Sequence, residues 1–121
     1  MKSSRVLVAH RKNWGLDDDK VANYARQMLV KRGLGSGFEL SLLFVGSRKA
    51  KKLNVEYRHK DYIPQVLGFP MSRSADADGW VRLGDIVICT SKLKYEANYY
   101  RKSVDKVLIE WLNHGLDNLL K

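Results

Sequence analysis

An internal disulfide is excluded at once, because the chain holds a single cysteine. That count also suits a reducing compartment. Cys89 ends the apolar run Ile86-Val87-Ile88-Cys89, where a buried small hydrophobe is expected rather than a nucleophile. Long apolar runs are missing too: none approaches the roughly 20 residues that span a bilayer, so no membrane partner is expected. After Met1-Lys2-Ser3-Ser4-Arg5, only Val6-Leu7-Val8-Ala9 is apolar. That is too short for a signal-peptide core, and the expected location is cytoplasmic. There is no internal repeat, low-complexity tract or linker, and 121 residues suffice for a real core, so residues 1–121 are expected to form a single domain. The scarce charge is the acidic one. Thirteen Asp+Glu face 22 Lys+Arg, a formal net charge of +9, which points to a polyanion partner, RNA or DNA first. Charge alone says nothing about chemistry.

The chain alternates between two periodicities. Val6 to His10 reads as a short strand. Asp17-Asp18-Asp19 opens a helix, with acids where its N-terminal dipole favours them, and Gly33 ends it. Phe38 to Val45 is the clearest strand, apolar on both faces. Ser47 is placed to cap the next helix, which runs to about Tyr57 with Ala50, Leu53 and Tyr57 inward. Pro64 and Pro70, the only two prolines, bracket an extended segment suited to a sheet edge. Ser72 to Gly79 reads as a mobile polar loop, and Trp80 to Cys89 as the last strand, with a bulge at Gly84-Asp85. Ser91 is placed to cap a helix to about Tyr100. The final helix, from near Ser103, puts Val104, Val107, Leu108, Trp111, Leu112, Gly115 and Leu119 on one face. The order β-α-β-α-β-β-α-α gives an α+β domain with a mixed sheet.

Three ordered blocks carry a sharper signal. Glu56-Tyr57-Arg58-His59-Lys60-Asp61 leads to Val66-Leu67-Gly68-Phe69-Pro70. Leu83-Gly84-Asp85-Ile86-Val87-Ile88 follows, and His114-Gly115-Leu116 lies on the closing helix. This order and spacing resembles the YbeY family of bacterial endoribonucleases, from about Leu40 to Lys121. The resemblance implies a zincin-like α+β fold, a mixed four-stranded sheet packed with helices. It also implies cleavage of single-stranded RNA, a role in rRNA maturation and ribosome quality control, and a divalent metal, usually zinc, held by three histidines. Arg58 corresponds to the arginine that lies in the family's cleft and is needed for activity, and His114 to the first metal ligand.

The physical logic of such a motif is plain. Histidines at i and i+4 share a helix face and reach one ion, and a third ligand leaves a position open for water, whose pKa the metal lowers. This sequence departs at those points. Asn118 stands at the second ligand position, and an amide oxygen is a weak, neutral ligand. The third histidine would fall beyond Lys121. Glu110, also four residues from His114, is the available substitute. The metal is therefore expected to be weakly bound or absent. Ile63-Pro64-Gln65 and Gly68 replace the carboxylate and hydroxyls that the family carries in its second block.

The run Arg58-His59-Lys60 is expected to form an RNA-binding lip, with the planar guanidinium of Arg58 clamping a phosphate. Arg48, Lys49, Lys51 and Lys52 read as a solvated helix face. Tyr95, Tyr99 and Tyr100, beside Arg101 and Lys102, could stack bases, although burial is expected for at least one of them. Leu116, Leu119 and Leu120 are expected to leave apolar surface at a frayed end or at a self-association contact. Two readings from other classes stand beside the endoribonuclease: a non-catalytic RNA- or ribosome-binding module of the same fold, and a basic domain with a protein partner.

Overall fold

The computed structural model describes residues 2–11, 14–71 and 74–121. Its elements follow the order β1 (Arg5–Ala9), α1 (Asp18–Lys31), β2 (Phe38–Val45), α2 (Ser47–Arg58), β3 (Val66–Pro70), β4 (Val81–Cys89), α3 (Thr90–Tyr99) and α4 (Val104–Leu119). The sheet order is β1-β2-β4-β3. β1, β2 and β4 run parallel, and β3 pairs antiparallel with β4. The expected four-stranded mixed sheet is therefore present. β3 takes the edge that its flanking prolines suit.

Local chemistry starts and stops the helices where it is strong. The Asp17 side chain accepts hydrogen bonds from the amides of Asp19 and Lys20, and Gly33 follows the α1 cap with φ near +76°. Ser103 caps α4 by accepting from Lys106 N. The two other expected caps do not form. α2 is preceded by Gly46 and α3 by Cys89, neither with a side-chain cap, so Ser47 and Ser91 lie inside the helices. Ser47 Oγ instead approaches the buried Cys89 sulfur at 3.8 Å.

The main core lies on one face of the sheet. Leu40, Leu42 and Phe44 of β2 and Ile86 and Ile88 of β4 meet Val21, Ala25, Met28 and Leu29 of α1 and Leu108, Leu112, Leu116 and Leu119 of α4. Alternation along the strands turns Val87 and Cys89 to the other face, where α2 lies, and both are buried. Ala50 faces inward as expected, but Tyr57 does not: it is 64% exposed, with its ring edge-on to Phe69 at 5.3 Å. Asn54 takes the buried position and donates Nδ2 to Tyr62 O at 3.0 Å, tying α2 to the loop before β3.

A bulge interrupts β4. Arg82 pairs with Glu39 and Gly84 with Leu40, which leaves Leu83 as the extra residue, one position before the expected site. Gly84 has φ near +132°, and a Cβ there would stand 2.2 Å from Phe69 O. Only glycine fits that approach. Of the loop expected to be mobile, Ser72 and Arg73 lie outside the described residues. The remainder is pinned: Gly79 N donates to Asp76 O, Ala75 bridges Val81, and Arg82 bonds both Asp76 and Asp78. The end of α4 is not frayed. Leu116 and Leu119 are buried against the sheet and Leu120 is half-buried, so the apolar surface expected to drive self-association is covered within the chain.

Candidate functional site

α4 owes its position to Gly115. A Cβ there would lie 3.0 Å from Ile86 Cγ2 and 3.3 Å from Val66 Cγ2. The missing side chain lets the helix settle on β3 and β4, and its neighbour His114 is left at the surface. Arg32, at the end of α1, fixes the same turn. Its guanidinium donates to Asn113 Oδ1 at 3.2 Å and to Asn113 O at 3.3 Å, and pairs with Asp117 at 2.8 Å. His114 is thus held between two anchored neighbours.

Opposite α4, α2 ends at Arg58, and His59 follows in the left-handed conformation with φ 57°. Lys60 N reaches back to Asn54 O at 3.3 Å. These contacts turn the chain towards β3. The result is an open cleft of about 360 Å³ lined by Arg58, Tyr62, Ile63, Pro64, Gln65, Val66, Lys92, His114 and Asn118. It lies where Val66 pairs with Ile88, at the carboxyl end of β4, the usual place for a ligand on a parallel sheet.

The structure brings Arg58, His114 and Asn118 together, as the sequence motif requires. His59 and Lys60 are exposed beside this cleft but do not line it. Glu110 does not line it either, and pairs with Lys102 Nζ at 3.3 Å. Sequence reading missed Lys92 and Gln65. Lys92 sits in the first turn of α3, directly after the strand block, and that position was the available signal. Gln65 is built in: its carbonyl accepts from Cys89 N at 3.0 Å, and its Nε2 donates to Glu96 Oε1 at 2.9 Å. Glu96 Oε2 accepts from Trp111 Nε1 at 2.9 Å. A polar relay therefore runs from the buried indole to the cleft wall.

Among the described residues, Arg58, Lys92 and His114 have no acid partner. The cleft offers two cations and an imidazole to an anion, and phosphate suits a guanidinium best. As a metal centre the donor set does not fit. His114 supplies one strong ligand and Asn118 a neutral oxygen, and no group of three His, Cys, Asp or Glu residues able to hold an ion occurs among the described residues. No described helix is long and apolar enough to cross a membrane.

A family model described as Endoribonuclease YbeY matches residues 8–120. Proteins named Endoribonuclease YbeY align over most of the chain. The Finegoldia magna protein is 28% identical across 95% of this chain and 77% of its own length. That of Mesoplasma florum is 33% identical across 76% of this chain and 62% of its own length. That of Myxococcus xanthus is 37% identical across 83% of this chain and 34% of its own length. This chain thus spans only about a third to three quarters of those relatives. The fold matches the solution structure of TM1509 from Thermotoga maritima with a TM-score of 0.61 and 21% identity, covering 96% of this chain and 72% of that one.

Proposed function

Because this chain belongs to the YbeY endoribonuclease family, we propose that it holds single-stranded RNA in the α2–β3–α4 cleft and cleaves it, within rRNA maturation and ribosome quality control in the cytoplasm. One observation carries the reading. Arg58, Lys92 and His114, from three different helices, converge on a single cleft with no acid paired to them among the described residues. Arg58 would clamp a phosphate through two parallel N–H donors. Lys92 would add a point charge against the negative charge that grows on the phosphate oxygens during cleavage. His114 would hold or pass a proton at the reacting oxygen. Of a divalent ion, zinc included, His114 would be one ligand. The other strong ligands are not among the described residues.

The test is cleavage of a labelled single-stranded RNA by the full chain, with and without a chelator. We expect cleavage that falls by about a hundredfold or more in Arg58→Ala and in His114→Ala. Asn118, standing at a ligand position, favours one second reading: a module that binds RNA and cuts nothing. Salt-sensitive binding without products, in the presence or absence of added zinc, would establish that reading over the first.

A further inference from the structure

The cleft does not end at Gln65 and Lys92. Both residues also line a second groove, of about 360 Å³, whose other walls are Tyr95, Glu96, Tyr99 and Tyr100. All three tyrosines were candidates for burial, and none is buried: they are 69%, 66% and 59% exposed. Burial is the ordinary fate of such area, so three bare rings along the last turns and cap of α3 are a surface with a use. Tyr95 and Tyr99 lie one helical turn apart with near-parallel rings, 6.1 Å between centroids and 21° between planes. Tyr100 meets Tyr99 edge-on at 5.0 Å, and Lys102 Nζ lies 6.0 Å from the Tyr100 ring centroid.

We propose that the Tyr95–Tyr99 face is a base-stacking platform for single-stranded RNA, receiving the nucleotides next to the one whose phosphate sits at Arg58. This rests on the RNA reading of the cleft. Three features select RNA as the occupant. The platform is continuous with the phosphate-binding cleft through Lys92. Its charge is complementary, since Thr90 to Arg101 carries Lys92, Lys94 and Arg101 against the single carboxylate of Glu96, while Lys102 beyond them is paired with Glu110. Both oxygens of that carboxylate are already engaged, by Gln65 and Trp111, so it is held back in the relay. Flat π faces beside cations are what unpaired bases stack on, with little regard to sequence. The platform therefore gives affinity without base specificity.

The experiment compares binding of the full chain to two oligonucleotides of equal length and charge, one a mixed-sequence single-stranded RNA and the other carrying abasic sites along half its length. The variants are Tyr95→Ala/Tyr99→Ala and Tyr95→Phe/Tyr99→Phe. We expect the alanine pair to weaken binding of intact RNA roughly tenfold, to leave the abasic oligonucleotide unchanged, and to melt as the wild type does. The phenylalanine pair should keep full affinity, because stacking needs the ring and not the hydroxyl. Equal losses on both oligonucleotides, or no loss on either, overturn the platform; in the second case the exposed rings belong to a protein contact. A chain that cuts RNA with an intact Arg58 dependence but is indifferent to the alanine pair refutes the platform alone. One that neither binds nor cuts RNA refutes the cleft reading and the platform together.

Discussion

The two ends of the sheet use cations in opposite ways. At the amino ends of β1, β2 and β4, Arg5 and Arg82 both pair with Glu39, which is only 7% exposed, and Arg82 also pairs with Asp76 and Asp78. Trp80 roofs this cluster, with the Arg5 guanidinium 4.1 Å from its ring centroid. At the carboxyl end of β4, Arg58 and Lys92 face a cleft with no acid partner among the described residues. A net charge of +9 therefore divides into charge spent on architecture and charge left for a ligand. Composition cannot separate the two, because each end contributes arginine and lysine in the same way to the sum.

Perturbing each end should break different properties. The largest effect is expected at Gly84, where a Cβ would collide with the backbone of β3. Gly84→Ala should cost about 3 kcal/mol of stability, visible as a large fall in the urea midpoint. Glu39→Gln comes next. It removes the buried carboxylate that Arg5 and Arg82 share, leaving Arg82 to Asp76 and Asp78 and Arg5 without an acid among the described residues. The change should cost about 2 kcal/mol, with RNA affinity unchanged when binding is measured on the folded fraction. Lys92→Ala should do the reverse. Thermal stability should hold within about 0.5 kcal/mol, while RNA binding weakens and the slope of log affinity against log salt shrinks by about 0.7. If Glu39→Gln weakened RNA binding as much as Lys92→Ala does, the division between the two ends would collapse.

The smallest effect is one of pH. The Arg82 guanidinium, helped by the Trp80 amide, holds the Asp78 carboxyl down at about 2. A carboxyl with a lowered folded pKa stabilises the fold above its ordinary range near 3.8, and this contribution is lost as the pH falls through about 2. Urea midpoints of the wild type should therefore drop more steeply between pH 4 and pH 2 than those of Asp78→Asn, whereas near pH 7 the wild type should be the more stable of the two. Parallel curves would show that Asp78 is not tied to Arg82 in solution.

The order of elements was legible because each rests on a local signal: Asp17 and Gly33 around α1, the apolar alternation of β2, the prolines about β3. Arg58 and His114 could be named as candidates because each belongs to an ordered sequence block, and both line one cleft. Legibility failed where tertiary contacts decide. Periodicity placed Tyr57 inward, but a buried amide at Asn54 finds Tyr62 O and takes that face of α2. Lys92 has no motif of its own and enters the cleft only because the sheet brings α3 beside α4. The tyrosines of α3 read as candidates for burial because sequence records their apolar area and not that the helix turns them to solvent.

The bulge at Leu83 decides the parity of β4. Below it the strand counts from Arg82 opposite Glu39, and above it from Gly84 opposite Leu40. In an unbroken ladder continued back from Gly84, Leu83 would sit opposite Glu39 and Arg82 opposite Phe38. Side chains alternate with period two, so a guanidinium would then enter the hydrophobic core and a leucine would meet the carboxylate. One surplus residue keeps two halves of a strand, one ionic and one apolar, in phase with the same neighbour.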